Sequence, residues 1–205
     1  MPTPNVLTPS QKYYGYFRKR FSQYGEDVKA LWGSTASQEE RFQILAEIGP
    51  LQGTDILDVG CGFGDFYAFL RRKGARIRSY TGVDIVPDMV SVARRRLPGN
   101  VRLFRADFTK EEIPGSFDWA FASGIFFLPH TQWSEYVASI LRKMYDSARL
   151  GAGANFLSAQ SRSKDSLSRY ARPGLILDLA LRRVTDRAVL RHDYRQNDFT
   201  LYLYK

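Results

Sequence analysis

Cysteine is almost missing from this chain, with Cys61 the single thiol in 205 residues. One thiol excludes an internal disulfide and any zinc site built on several thiolates. Two histidines, His130 and His192, leave little for a metal centre of another kind, and none is expected. No apolar run approaches the ~20 residues of a membrane span. Met1 to Gln11 lacks the charged and apolar regions of a signal peptide, so a cytoplasmic soluble protein is the expectation. Charge of one sign is in excess. Lys and Arg number 30 against 21 Asp and Glu, a formal +9 with a pI near 9.7. Such an excess raises the question of a nucleic-acid partner. With 44% hydrophobic residues the composition is that of a folding chain, and 23.5 kDa suits one domain with its own core.

Three prolines between Pro2 and Ser10 predict a loose leader. Lys12 to Ala46 carries a helical pattern, with Tyr13, Tyr14, Phe17, Phe21 and Tyr24 at three- and four-residue steps. Trp32, Gly33 and Ser34 break it, and Ser37 is expected to cap a second helix with Glu40 as capping-box partner. From Thr54 onward strands and helices alternate. Strands are predicted at Ile56–Val59, Tyr80–Ile85, Val101–Ala106, Phe117–Ser123 and Asn155–Ala159. Helices are predicted at Phe63–Lys73, from Pro87 to Leu97, and at Trp133–Leu150. That alternation argues for a parallel sheet covered on both faces. The tail differs: Val184–His192 and Phe199–Tyr204 have no helix between them and read as an antiparallel hairpin.

Ile56-Leu57-Asp58-Val59-Gly60-Cys61-Gly62-Phe63-Gly64 places glycines between a strand end and a helix start, where backbone can approach a ligand closely. A dinucleotide loop would put its third glycine at position 65, which is Asp65. A carboxylate there would repel a pyrophosphate, so the loop suits a ligand without phosphates. Asp84, at the tip of the second strand, is placed to accept the two hydroxyls of a ribose. Asp107 and Phe108, at the third tip, offer an acid and an aromatic face for an adenine.

On these residues, with Phe117-Asp118-Trp119-Ala120-Phe121-Ala122-Ser123-Gly124 as a fourth motif, the chain resembles the class I S-adenosylmethionine-dependent methyltransferases of the small-molecule type. The resemblance runs from about Ile56 to Lys205. It implies an α/β, Rossmann-like, seven-stranded, mostly parallel sheet of order 3-2-1-4-5-7-6 with an antiparallel last strand. It implies a helical lid over residues 1–50 before the methyltransferase domain of residues 51–205. S-adenosyl-L-methionine would be the cofactor and S-adenosyl-L-homocysteine the product. Gly60 and Gly62 would lie against the methionine part, with Cys61 as a buried spacer between them. Asp58 would orient the loop and Met89 would approach the adenine. Asp84, Ile85, Asp107, Phe108 and Ser123 complete the cofactor set. Gln38 and Arg41 stand on the second N-terminal helix, where Arg41 either pairs with the cofactor carboxylate or lies on a solvated face.

Methyl transfer asks a protein for alignment and exclusion of water more than for covalent chemistry, and for a base only if the acceptor arrives protonated. His130 follows the loop that leaves the fourth strand and is the candidate base, against a reading as an ordinary loop histidine. Phe126 and Phe127 either line an acceptor pocket or anchor that loop. Tyr13, Tyr14 and Phe17 either pack their helix or close over the cofactor. His192 reads as structural. The acceptor is expected to be the O or N of a small molecule, sugar-like or a natural-product intermediate. An RNA acceptor and a non-catalytic cofactor-binding protein are the alternatives. The charge bears on that choice. Arg71 to Arg105 holds ten Lys/Arg and two Asp, which is +8 of the +9. Much of that excess ends helices, where cations suit the helix dipole, so it counts less toward RNA than the pI suggests.

Overall fold

The computed structural model describes residues 7–31 and 33–205. The start of the leader and Trp32 lie outside them. Seven strands form one sheet in the order β3-β2-β1-β4-β5-β7-β6. They are β1 Asp55–Val59, β2 Ser79–Asp84, β3 Arg102–Arg105, β4 Phe117–Ala122, β5 Ala148–Leu157, β6 Ala188–Arg191 and β7 Asp198–Tyr204. Strands β1 to β5 pair in parallel, and β7 runs antiparallel between β5 and β6, as the hairpin pattern requires. The order reverses between β1 and β4. In open α/β sheets that reversal leaves a crevice at the carboxyl ends of the strands, where ligands bind.

Helices α1 Pro9–Tyr24, α2 Thr35–Ala46, α3 Asp65–Arg72, α4 Pro87–Arg96, α5 Trp133–Ser147 and α6 Pro173–Arg183 surround the sheet. One core packs Val137, Ile140, Leu141 and Met144 of α5 and Ile176 of α6 against β4, β5 and β7. The other joins Phe42 and Leu45 of α2 to Phe66 and Phe69 of α3 over Phe121 and Tyr202. The N-terminal segment therefore divides. Helix α2 belongs to a core layer of the sheet, while α1 and the short 3₁₀ turn Val28–Ala30 cover Phe63 and Met89 near the strand tips.

Four local expectations change. The first helical pattern stops at Gly25, whose φ of 57° is a conformation side chains disfavour. The second helix is capped by Ser34, which accepts from the Ser37 N–H at 3.2 Å; Ser37 lies inside the first turn. Strand β5 begins at Ala148, seven residues before the predicted start, and takes over the end of the helix predicted to reach Leu150. Its Ala-Arg-Leu-Gly-Ala-Gly-Ala run has weak strand propensity, but cover on both faces demands small residues and overrides it. A Cβ at Gly151 would lie 2.2 Å from the Leu203 carbonyl oxygen. Helix α6, unassigned in the sequence, starts with Pro173 at its first turn and buries Ile176 and Ala180 four residues apart. The bonds that end it, from the Val184 and Thr185 N–H groups to the Ala180 carbonyl, take the start of the predicted Val184–His192 strand, which narrows to β6.

Candidate active site

Strand β1 ends in a loop where Gly60, Gly62 and Gly64 take φ of 77°, 55° and 80°. The loop does not offer its N–H groups outward as a phosphate cradle would. Gly60 and Cys61 donate to the Val83 carbonyl at 2.8 and 3.1 Å, and Gly64 donates to the Cys61 carbonyl at 2.9 Å. The Gly62 N–H donates to Asp84 Oδ2 at 2.9 Å. The cradle works by shape: a Cβ at Gly60 would meet Ile125 Cγ2 at 2.3 Å, and one at Gly62 would meet Leu31 Cδ1 at 2.9 Å. That agrees with a ligand lacking phosphates.

Asp84 joins two structural units. Its Oδ2 holds the glycine loop and its Oδ1 accepts the Val86 N–H at 2.9 Å, just before α4. Burial raises its carboxyl above the usual range, opposed by the N–H donors of Val86, Gly62 and Ile85. Two adjoining hollows meet at Asp84, Gly60, Phe17 and Ile125, each with about 490 Å³ of empty space. The first hollow is lined by Gln38, Asp58, Cys61, Gly62, Met89 and Ser123. The second takes in Ser10, Tyr13, Ile85, Asp107, Phe108 and Tyr136. Met89 thus stands beside Gly62, away from the hollow that holds Asp107 and Phe108.

Asp107 is tied to the N-terminal helix. Its Oδ1 accepts from Ser10 Oγ at 2.9 Å and from the Thr109 N–H at 3.0 Å. Burial works against its charge, but the hydrogen bonds from Thr109 and Ser10 and the nearby Lys110 outweigh it and hold its carboxyl below the ordinary range. Phe108 is buried beside it, with Lys143 Nζ 5.0 Å from its ring centre. Gln38 donates to Asp65 Oδ2 at 2.9 Å. Cys61 is buried, and burial with the nearby Asp84 and Asp58 pushes its thiol well up, so it serves packing and no nucleophilic role.

Asp58 lies on the floor of the first hollow and accepts a hydrogen bond from the Tyr80 hydroxyl. Burial pushes its carboxyl to about 7, against the Tyr80 bond and with repulsion from Asp84 and Asp65. A carboxyl held above its unfolded value takes up a proton on folding, so stability falls as pH rises from the ordinary carboxylate range to about 7, then levels. Asp58→Asn removes that slope. The variant should match the wild-type Tm at pH 4 and exceed it by several degrees at pH 8, read by thermal unfolding across pH.

The fourth strand tip leads to a further hollow. Gly124 and Leu31 are shared with the first hollow, and beyond them Phe126, Phe127, Asn155 and Phe156 form the walls of a space of about 970 Å³ open to solvent. Phe126 is buried and stacks on Phe156 at 4.7 Å and 11°. Phe127 meets Tyr13, Tyr16 and Phe17 edge-on, so it both anchors the loop to α1 and lines the hollow. Between the hollows Ser123 Oγ donates to Asn155 Oδ1 at 2.6 Å, and Asn155 Nδ2 donates to Thr200 Oγ1 at 2.8 Å. Arg41 faces this further hollow, where Asp198 and Ser37 hold its guanidinium. A cofactor carboxylate would have to share it with Asp198. The sequence reading missed Asn155, Thr200 and Asp198. Their one signal is that polar residues stand within strands otherwise apolar, at positions buried to 3% exposure or less.

Two expected site residues, Tyr14 and His130, stand elsewhere, and so does His192, which the sequence reads as structural. Tyr14 packs toward the α4 corner with Arg18 over its ring at 6.0 Å. His192 sits on the hairpin, edge-on to Phe199. His130 lies edge-on to Tyr136 at 5.2 Å and lines none of the three hollows. Burial and the nearby Lys12 lower its pKa. A general base must come within hydrogen-bond reach of the proton it takes, directly or through one water. His130→Ala should therefore leave turnover within about twofold of wild type in a methyl-incorporation assay, a change of under ~0.5 kcal/mol in barrier.

Residues 56–147 match the family model for a methyltransferase domain. Over 158 residues the chain is 33% identical to Rv1506c of Mycobacterium tuberculosis, named as a methyltransferase, covering 73% of this chain and 92% of that one. It is 32% identical over 112 residues to the tRNA U34 carboxymethyltransferase of Serratia proteamaculans, covering 52% of this chain but only 33% of that protein. Among solved structures, the magnesium protoporphyrin IX methyltransferase of Synechocystis, with bound S-adenosylmethionine, superposes with a TM-score of 0.70. The match covers 99% of this chain and 100% of that one, at 15% identity. That likeness concerns the fold.

Proposed function

The chain belongs to the class I S-adenosylmethionine-dependent methyltransferases, and from that premise we propose that it methylates an O or N atom of a small-molecule acceptor. The observation that carries this reading is the run of three connected hollows along the strand tips. Asp84 stands between the first two, and Gly124 opens the first into the third. S-adenosylmethionine supplies an electrophilic methyl group on a sulfonium, which leaves as neutral S-adenosylhomocysteine once the acceptor lone pair takes the carbon. In this reading Asp84 receives the ribose hydroxyls, and Asp107 and Phe108 hold the adenine edge and face. Gly60 and Gly62 admit the methionine chain beside Asp58, whose carboxylate faces its ammonium. Phe17 and Leu31 close the top and keep water from the reacting line, which is the larger part of the protein's contribution. The acceptor's proton passes to water. Residues 1–50 act as the lid segment in α1 and as core in α2.

An RNA acceptor is the second reading, because one group of relatives is named for tRNA. The basic surface gives it little support, since many of the arginines already have acidic partners. Arg95 and Arg96 pair with Glu26, Arg72 with Glu39, and Arg78 and Arg149 with Asp55 and Asp118 on the rim opposite the site. No helix among the described residues is long and apolar enough to cross a membrane, and we place the reaction in the cytoplasm. The test is methyl incorporation from labelled S-adenosylmethionine into cell extract split into small molecules, RNA and protein. Label in the small-molecule fraction is the expected result. Label confined to RNA, declining with added salt, would replace this reading with the second.

A further inference from the structure

Arg20, on α1, combines three features that sequence reading passed over. It is half-buried, it lines the third hollow, and among the described residues no carboxylate pairs with it. Its Nε donates to the Ala30 carbonyl at 3.2 Å and one terminal nitrogen donates to the Lys29 carbonyl. Those bonds fix one edge of the guanidinium to the 3₁₀ turn and, among the described residues, leave the other terminal nitrogen without a hydrogen-bond partner. The group also lies 5.7 Å from the Tyr16 ring centre and 5.1 Å from that of Tyr24, within cation–π reach of both. The other guanidinium in the hollow differs: the charge of Arg41 is matched by Asp198 at 2.8 Å. Among the described residues that line the hollow, Arg20 is therefore an oriented cation with no carboxylate paired to it.

Its walls are flat. Phe126 and Phe156 line the hollow with ring centres 4.7 Å apart and planes at 11°, and Phe199 backs them from the core, stacked on Phe156 at 5.1 Å. Phe127 adds a partly exposed ring on the side of α1. The hollow also holds Ser37, Asn155 and the Arg41–Asp198 pair, whose hydrogen bonds are made within the protein, so the guanidinium of Arg20 sets orientation while the aromatic walls add affinity. A planar guanidinium edge is matched best by the two oxygens of a carboxylate.

We propose that the acceptor is a planar, conjugated molecule bearing a carboxylate, its ring system against the phenylalanine wall and its carboxylate on Arg20. This rests on the methyltransferase reading and names the substrate class for the third hollow. The test uses 2-naphthoate and its neutral isostere 2-naphthamide, titrated into S-adenosylhomocysteine-loaded protein by calorimetry. Naphthoate should bind at least tenfold more tightly than naphthamide. Arg20→Gln keeps an N–H donor for the Ala30 carbonyl but removes the charge. It should abolish that preference and still bind S-adenosylhomocysteine, while Arg20→Lys should retain part of the preference. Equal affinity for the two probes, no binding of either to loaded protein, or a preference that survives in Arg20→Gln would overturn the proposal. Failure of the wild-type protein to bind S-adenosylhomocysteine would instead overturn the reading beneath it, and so the two failures are distinguishable.

Discussion

Asp84→Ala should leave no measurable S-adenosylmethionine binding by titration calorimetry, a loss of at least a hundredfold. The carboxylate does two jobs in the free protein before any ribose arrives. Oδ2 fixes the Gly62 N–H and Oδ1 fixes the Val86 N–H, each at 2.9 Å. Hydrogen bonds to a charged group contribute about 1.5–3 kcal/mol each. Removing both leaves two backbone donors without partners in a region where Asp84 itself is 9% exposed. The glycine loop then loses its position relative to α4, and the ribose loses its acceptor. Two ribose hydroxyls each lose a hydrogen bond to a charged acceptor, and at ~1.4 kcal/mol per decade the lower bound for those two gives about a hundredfold. Asp84→Asn should fall between, because its amide oxygen can accept one of the two N–H groups while its NH₂ opposes the other. Unchanged affinity in Asp84→Ala would remove the ribose from this strand tip and with it the order of the first two hollows.

What the sequence disclosed follows a physical division. The glycine loop, Asp84, Asp107 and Phe108 are each set by a strand ending in a turn, and that local event leaves a local signature: positive-φ glycines and an acid after an apolar run. The strand order came through the resemblance, supported by the alternation of elements and the final hairpin. Parts fixed by distant pairing left little trace. Strand β5 is a strand because β4 and β7 pair with it along both edges, although the Ala- and Gly-rich run from Ala148 to Ala154 has weak strand propensity. Asn155 reaches Ser123 and Thr200, 32 and 45 residues away. His130 is the opposite case, a chemically attractive residue on the expected loop whose ring the chain turns toward Tyr136.

Arg41 gives the sharpest contrast between the two views, and its replacement should have the largest effect on stability. The sequence offered it as a partner for a cofactor carboxylate or as a solvated residue. In the structure it joins α2 to the first residue of β7 across 157 positions, its Nε and one terminal nitrogen donating to Asp198 Oδ1 at 3.0 and 2.8 Å. Asp198 is fully buried, and among the described residues its Oδ2 makes no hydrogen bond, with Arg195 Nε at 3.4 Å as a second ion-pair partner. Breaking a buried pair by removing one member costs about 3–5 kcal/mol, because the other charge stays buried. Here the more distant, partly exposed Arg195 is a weaker substitute for the two hydrogen bonds from Arg41. Arg41→Ala should therefore lower Tm by about 6–20 °C, using ~2–4 °C per kcal/mol for a domain of this size. Replacing both members, Arg41→Met with Asp198→Leu, should recover much of the loss, since a packed apolar pair has no charge to compensate. A structural ion pair and a cofactor ligand then give different signatures. The first predicts the fall in Tm without ligand and the recovery in the double variant. The second predicts an unchanged Tm with weakened S-adenosylmethionine binding in Arg41→Ala, and no recovery of that binding when Asp198 is also replaced.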